Sequence, residues 1–283
     1  MGTEVFPPQQ GEALRELTRQ RPDLHGFVRS RWRLCDLRDA EVVTFLSKYS
    51  LPGVCRALQR LKIKRKQGRV HVHSPDPFYL IKMRWIERAW ELAKLHPDQV
   101  SLLYGDELSF YKRPTLAGGG SYYPRGRGEE PTFEQVAGYN TRYRVGAAMD
   151  AITGRVVWVD DKVVGVQALC LLLAEVRRCY GTERTIFLVW DNRHVHYQEK
   201  VAATATEMGI GLLWLPTYAP WTNPIEKMWR WLKQEHIHNH QLAAEFDTLK
   251  ERVRQFLGRF ADGSKASEDL LRYVGLSPDA AIT

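Results

Sequence analysis

The chain has 283 residues, enough for one large domain or two smaller ones, and its 44% hydrophobic content is ordinary for a globular protein. No apolar run has the length of a transmembrane helix, and no signal-peptide pattern opens the chain; the four cysteines (Cys35, Cys55, Cys170, Cys179) are scattered without a Cys-x-x-Cys pair, which argues against a disulfide scaffold or a cysteine zinc site and for a reducing, cytoplasmic setting. The net charge of +8 is unevenly placed: residues 1–97 carry 19 Lys and Arg against 10 Asp and Glu, residues 98–283 carry 22 against 23. A basic module beside a near-neutral body is the layout of a nucleic-acid enzyme with a separate DNA-binding part; the plainer alternative is a solvated basic face.

In chain order, residues 1–38 are Arg-rich and weakly periodic, with a short helix expected around Glu12–Arg19. Residues 39–48 predict a helix with Val42, Val43, Phe45 and Leu46 on its apolar side. Ser50 to Gly53 reads as a turn or helix start. A second helix over Val54–Leu61 carries Val54, Ala57, Leu58 and Leu61 at i, i+3, i+4 and i+7, and the pair fits a helix-turn-helix. Basic residues then crowd the sequence without an intervening acid: Arg56, Arg60, Lys62, Lys64, Arg65, Lys66 and Arg69. Placed on and after a recognition-type helix, they suit contacts to DNA phosphates.

Gly68 to Pro77 reads as a linker, and Phe78–Leu95 as a long amphipathic helix with Trp85 and Trp90 in the core. Strands are expected near 100–110, 141–149, 154–160, 185–190 and 211–215, with a hairpin over Ala151–Gly154. Helices are expected near 165–180, 195–208, 224–236 and 242–258. Three antiparallel strands followed by strand–helix alternation is the ribonuclease H-like order, an α/β fold with a mixed sheet flanked by helices. Residues 112–128 are too glycine-rich for a packed element and include Arg125 and Arg127, which suit DNA contacts as well as they suit a surface loop. The alternating His236, His238 and His240 do not share a helix face, so they read as a polar helix end; Asp160 and Asp161 read as a strand-end turn.

Three carboxylates carry the chemistry. Asp106 lies in an alternating strand with Leu102, Tyr104 and Leu108 on its own face, whereas Glu107 points the other way and is the weaker ligand candidate. Asp191 ends an apolar run, Thr185 to Trp190, and so stands at the carboxyl end of a buried strand, where ligands collect. Glu226 follows Asn223 and Pro224 at a helix start, where it serves either as a capping-box member or as a ligand from the helix flank. Thirty-four residues separate Asp191 from Glu226. Hard carboxylate oxygens converging from two strands and a helix suit a pair of Mg²⁺ or Mn²⁺ ions.

Gly105-Asp-Glu107, Trp190-Asp-Asn192 with His196, and Tyr218-Ala-Pro-Trp-Thr-Asn-Pro-Ile-Glu226, in that order and spacing, resemble the DDE transposases of the mariner superfamily, in particular their bacterial insertion-sequence branch, over residues 40–260. The resemblance implies DNA cleavage at element ends and strand transfer into target DNA, with Asp106, Asp191 and Glu226 as catalytic acids holding two Mg²⁺ or Mn²⁺ ions. Asn192, His196 and Asn223 match supporting positions. It also implies a dimer or higher assembly on terminal inverted repeats, TA targets, and a nucleoid-associated place in a bacterial cytoplasm. The domains expected are a helix-turn-helix region over 1–70, a linker and connecting helix over 71–98, the ribonuclease H-like catalytic domain over 99–260, and a tail over 261–283. Members of this branch usually carry two helix-turn-helix units, of which one is legible here. Two other classes stay open at this point: a non-catalytic, domesticated or truncated DNA-binding protein, and another ribonuclease H-like nuclease.

Overall fold

The structure, a computed structural model, describes residues 7–66, 73–117, 124, 128–129, 131–133 and 140–276. The chain divides into two compact units, residues 1–71 and 72–283.

The first unit is helical. Helix α1 (Pro8–Arg19), α2 (Leu34–Asp39) and α3 (Leu51–Arg60) are joined through 3-10 turns at Pro22–His25 and Glu41–Leu46. Leu14 and Leu17 of α1, Leu37 of α2, Val43 and Leu46 of the second turn, and Val54 and Ala57 of α3 bury one another in a single small core. The helix expected over 39–48 is therefore a 3-10 turn, broken at Val43 (φ −124°, ψ 44°). The run Val42-Val43-Thr44 is β-branched, which disfavours an α-helix of that length. Ser50 caps α3 by accepting a bond from the Gly53 amide at 3.3 Å. At its other end Ile63 N–H donates to Leu58 O (2.8 Å) and Lys62 N–H to Gln59 O (3.0 Å), a Schellman closure in which Lys62 takes the left-handed position (φ 59°).

The second unit is built on five strands: β1 (Val100–Tyr111), β2 (Arg142–Asp150), β3 (Val156–Asp161), β4 (Thr185–Trp190) and β5 (Ile210–Trp214). Their order is β3-β2-β1-β4-β5, with β1–β3 antiparallel and β4 and β5 parallel to β1. Asp150 forms the hairpin turn, accepting from the Ile152 and Thr153 amides at 2.8 Å each. Two apolar layers cover the sheet. On one face Leu103, Leu188 and Trp190 pack under α5 (Val166–Tyr180) and α6 (Glu199–Glu207). On the other, Leu102, Tyr104, Leu108, Phe110 and Val189 pack under α4 (Tyr79–Leu95), α7 (Ile225–Leu232), α8 (Phe246–Gly258) and α9 (Lys265–Val274).

Several expectations change here. Helix α4 is part of this core through Ile86, Ala89 and Ala93, and Trp85, expected inside, is 63% exposed. The segment 261–283, expected as a tail, contains α9, whose Leu270 and Val274 are buried. Its amphipathic spacing places those residues on one side. The helix expected over 195–208 begins as a 3-10 turn, His194–Tyr197, before α6, and the one expected to 236 ends α7 at Leu232 in a π-helical turn, Lys233–Ile237. Asp160 and Asp161 end β3 instead of forming a turn, and Asp160 pairs with Arg254 at 2.9 Å.

Candidate active site

Strand alternation and register bring the acids together. Asp106 shares the face of Leu102, Tyr104, Leu108 and Phe110, the face under α7. The parallel β1–β4 ladder ends with Tyr104 opposite Val189, so Asp106 and Asp191 each lie two residues beyond the last pair, on adjacent strands. Val189, two residues before Asp191, belongs to the same face. Helix α7 buries Ile225, Met228, Trp229 and Leu232 there, which sets Glu226 on its flank. Asp106, Asp191 and Glu226 consequently line one cleft, together with Asn192, Arg193, Asn223 and the loop from Leu215 to Pro220. The capping box considered for Glu226 does not form, because Pro224, which lacks an accepting side chain, occupies the cap position.

The acids sit in different electrostatic settings. Burial, then the charges of Glu226, Glu107 and Asp191, push the Asp106 carboxyl up to about 8. Trp229 Nε1 donates to Asp106 Oδ2 at 3.0 Å. Asp191 Oδ1 accepts from His196 Nδ1 (2.8 Å) and from the Arg193 amide (3.1 Å). His196 is fully buried, stacked on Trp190 with ring centroids 4.7 Å apart. Its Nε2 meets Glu107 Oε1 at 2.8 Å. Burial works against the imidazolium, yet Asp191 and Glu107 outweigh it and push His196 up to about 9.

Glu107 thus has a place that sequence reasoning missed. Its side chain, 4% exposed, holds His196 and also accepts from Arg193 Nη1 at 2.6 Å. It points away from Asp106's face, as alternation dictates, and is linked to Asp191 through His196 and Arg193. Asn192, weighed as a helix cap, donates instead to Leu215 O and accepts from Tyr197. Asn223 is buried; its Nδ2 donates to Gly105 O at 3.2 Å and its Oδ1 has no partner among the described residues. A second unforeseen group braces the cleft's rim. Asp76 accepts from Lys82 Nζ (2.8 Å) and from the Thr217 amide (2.8 Å), and Lys82 Nζ lies 3.4 Å from Asn192 Oδ1. These bonds, the Lys82 ion pair first, hold Asp76 well below the usual carboxylate range.

Gly105 is required by close approach. A Cβ there would lie 2.2 Å from Trp190 Nε1, so only glycine lets that indole lie across β1, on the face opposite Asp106, where it stacks on His196.

Among the other expected residues, Arg56, Arg60, Lys62, Lys64, Arg65 and Lys66 belong to the helical unit and are exposed. Arg69, Arg125 and Arg127 lie outside the described residues. His236, His238 and His240 follow α7, where burial lowers their affinity for protons.

A mixed five-stranded sheet with one acid on its middle strand β1, one just past the end of β4 and a third on a covering helix has the layout of a ribonuclease H-like nucleic-acid enzyme. The chain belongs to the DDE superfamily endonucleases, whose family model matches residues 101–250. It is 27% identical over 248 residues to the insertion element IS630 uncharacterized 39 kDa protein of Shigella sonnei, covering 86% of this chain and 69% of that one. Its fold is similar to the Mos1 mariner paired-end complex with Mn (TM-score 0.61, 14% identity, 100% of this chain and 82% of that one). A similar match is the Mos1 transposase paired-end complex with left transposon end (TM-score 0.58, 15% identity, 98% and 82%).

Proposed function

We propose that this endonuclease is the transposase of a bacterial insertion element, cutting DNA at the element's ends and joining the freed 3′-hydroxyl to target DNA. The observation that carries the reading is the convergence of Asp106, Asp191 and Glu226 on one cleft in a chain of this family. The residues fit divalent ions. All three are hard oxygen donors, the preference of Mg²⁺ and Mn²⁺. Burial, then the charges of Glu226, Glu107 and Asp191, push Asp106 toward its neutral form, and Asn223 Oδ1 is a buried acceptor in the same cleft with no partner among the described residues. Among the described residues no group of three or more His, Cys, Asp or Glu closes around one point. Mg²⁺ is commonly held by one or two carboxylates, with water and substrate phosphates completing the shell.

When bound, two such ions activate the attacking oxygen and stabilise the leaving one. The chain's own residues do the rest. Asp106, Asp191 and Glu226 would hold the ions. Glu107 and His196 fix the rotamer of Asp191, and Trp229 fixes that of Asp106. Asn192 and Asn223 tie the loop ahead of α7 to the end of β4 and to β1. The helical unit, with Arg56, Arg60, Lys62, Lys64, Arg65 and Lys66 exposed on and after α3, would bind the element's terminal repeats as a helix-turn-helix. Pairing of two ends calls for a dimer or larger assembly. Such work belongs in the bacterial cytoplasm, on nucleoid DNA. The test is supercoiled DNA bearing the flanking element's own ends, incubated with the full chain and Mg²⁺. Nicks confined to the element ends are expected; cleavage without regard to the ends would favour a general ribonuclease H-like nuclease, and none at all a DNA-binding protein without catalysis.

A further inference from the structure

One side chain at the mouth of the acid cleft is placed against its own backbone preference. Pro216 O accepts from the Ala219 amide at 3.3 Å, closing a tight turn over residues 216–219. Tyr218 is the third residue of that turn and has φ 55°. This left-handed position ordinarily takes Gly or Asn, because any other side chain crowds the backbone. A tyrosine there has a conformational cost that something else must outweigh. Burial does not supply it: Tyr218 is 74% exposed. The nearby Tyr197 shows the structural use of the same residue, stacked on Trp214 with ring centroids 4.1 Å apart. Tyr218 lines the same cleft as Asp106, Asp191 and Glu226, and Trp221, 49% exposed, follows in the next turn.

We propose that Tyr218 is a nucleobase-stacking platform, taking the face of an unpaired base at the DNA end being processed. The inference rests on the reading of the cleft as a site that cuts and joins DNA. A flat ring on a strained, rigid turn needs little ordering to stack, and every base offers a π-face, so the contact is sequence-tolerant. Bases inside a duplex have both faces covered. An unpaired base with an open face exists only at an overhang, where the strand frays or where a base leaves the stack.

The experiment uses the full chain in Ca²⁺ with two probes: a duplex ending in one unpaired 2-aminopurine nucleotide, and the same duplex made blunt. Wild type and Tyr218→Phe are expected to quench the 2-aminopurine fluorescence. Tyr218→Gly and Tyr218→Asn, which suit the turn but lack a ring, are expected not to quench it. They should bind the unpaired-end duplex roughly tenfold more weakly, the order of one missing base–aromatic stack, and the blunt duplex unchanged. Both should melt at or above the wild-type temperature, since the strain is gone. Wild-type quenching or affinity in these two variants overturns the proposal, as does a clearly lowered melting temperature, which would make Tyr218 a structural residue. Wild-type nicking of supercoiled element DNA is measured alongside. Nicking without any wild-type quench removes the platform and leaves the endonuclease reading intact; absence of nicking removes both.

Discussion

Asp106 is an acid that the fold holds against its own charge. Its carboxyl is pushed up to about 8 by burial and then by Glu226, Glu107 and Asp191. A carboxyl raised in the folded state contributes most while protonated, below its ordinary value near 4, and that contribution is lost as pH rises toward 8. Metal-free Asp106→Asn is therefore expected to melt higher than wild type at pH 8, by the equivalent of up to roughly 5 kcal/mol at about 1.4 kcal/mol per pKa unit. The gain should vanish near pH 4. Added Mg²⁺ should raise the wild-type midpoint and not that of the variant. An Asn variant no more stable than wild type at pH 8 would contradict the repulsion. His196 runs in the same direction with pH, although here it is the charged form that the fold favours. Its imidazolium, raised to about 9 by Asp191 and Glu107, stabilises below its ordinary value near 6.5, and that stability fades as pH rises through 9. Glu107→Gln should bring the imidazole pKa down, read from its NMR titration, and cost about 1–3 kcal/mol at pH 6 by weakening a buried charged bond. An unmoved imidazole titration would mean that Glu107 does not hold it.

At the scale of the element, β1 and β4 set the site, and their contact depends on Gly105. Gly105→Ala would drive a Cβ into the Trp190 indole, and overpacking of this kind costs about 1–3 kcal/mol. Urea unfolding of Gly105→Ala, of Trp190→Leu and of the double variant should show that the two losses do not add, because the smaller side chain removes the collision. Strict additivity would place the strain elsewhere. The five strands were legible in the sequence because each is a short apolar or alternating run bounded by turn residues, and the face of Asp106 followed from period two alone. The helix over 39–48 was misread because its apolar spacing ignored the β-branched run at Val42–Thr44. Trp85 was misread because an amphipathic stripe does not say which of its members the neighbouring elements reach. The Glu107–His196 bond was not legible at all: its partners are 89 residues apart in sequence, and they meet through the β1–β4 register and the turn after Asp191. The Asp76–Thr217 bond, spanning 141 residues, was hidden for the same reason.

At the scale of the whole molecule, charge and chemistry fall in separate units. The exposed run Lys62, Lys64, Arg65 and Lys66 closes α3 in one, and the acids lie in the other. Replacing those four cations with Gln should weaken duplex binding and flatten its salt dependence, by roughly 0.9 in the slope of log K against log salt for each phosphate no longer neutralised. An unchanged slope would make the run a solvated face. Metal-free chain stability should be unaffected, since the four side chains are exposed. The central claim is that Asp106, Asp191 and Glu226 act together as the metal-holding acids of DNA cleavage. Its most direct test sets Mg²⁺-dependent cleavage beside DNA affinity for Asp106→Asn, Asp191→Asn and Glu226→Gln, each keeping its shape and losing its charge. Each variant is expected to lose cleavage by at least about a hundredfold while binding DNA within a few-fold of wild type. Robust Mg²⁺-dependent cleavage by any one of them would contradict the assignment of that acid.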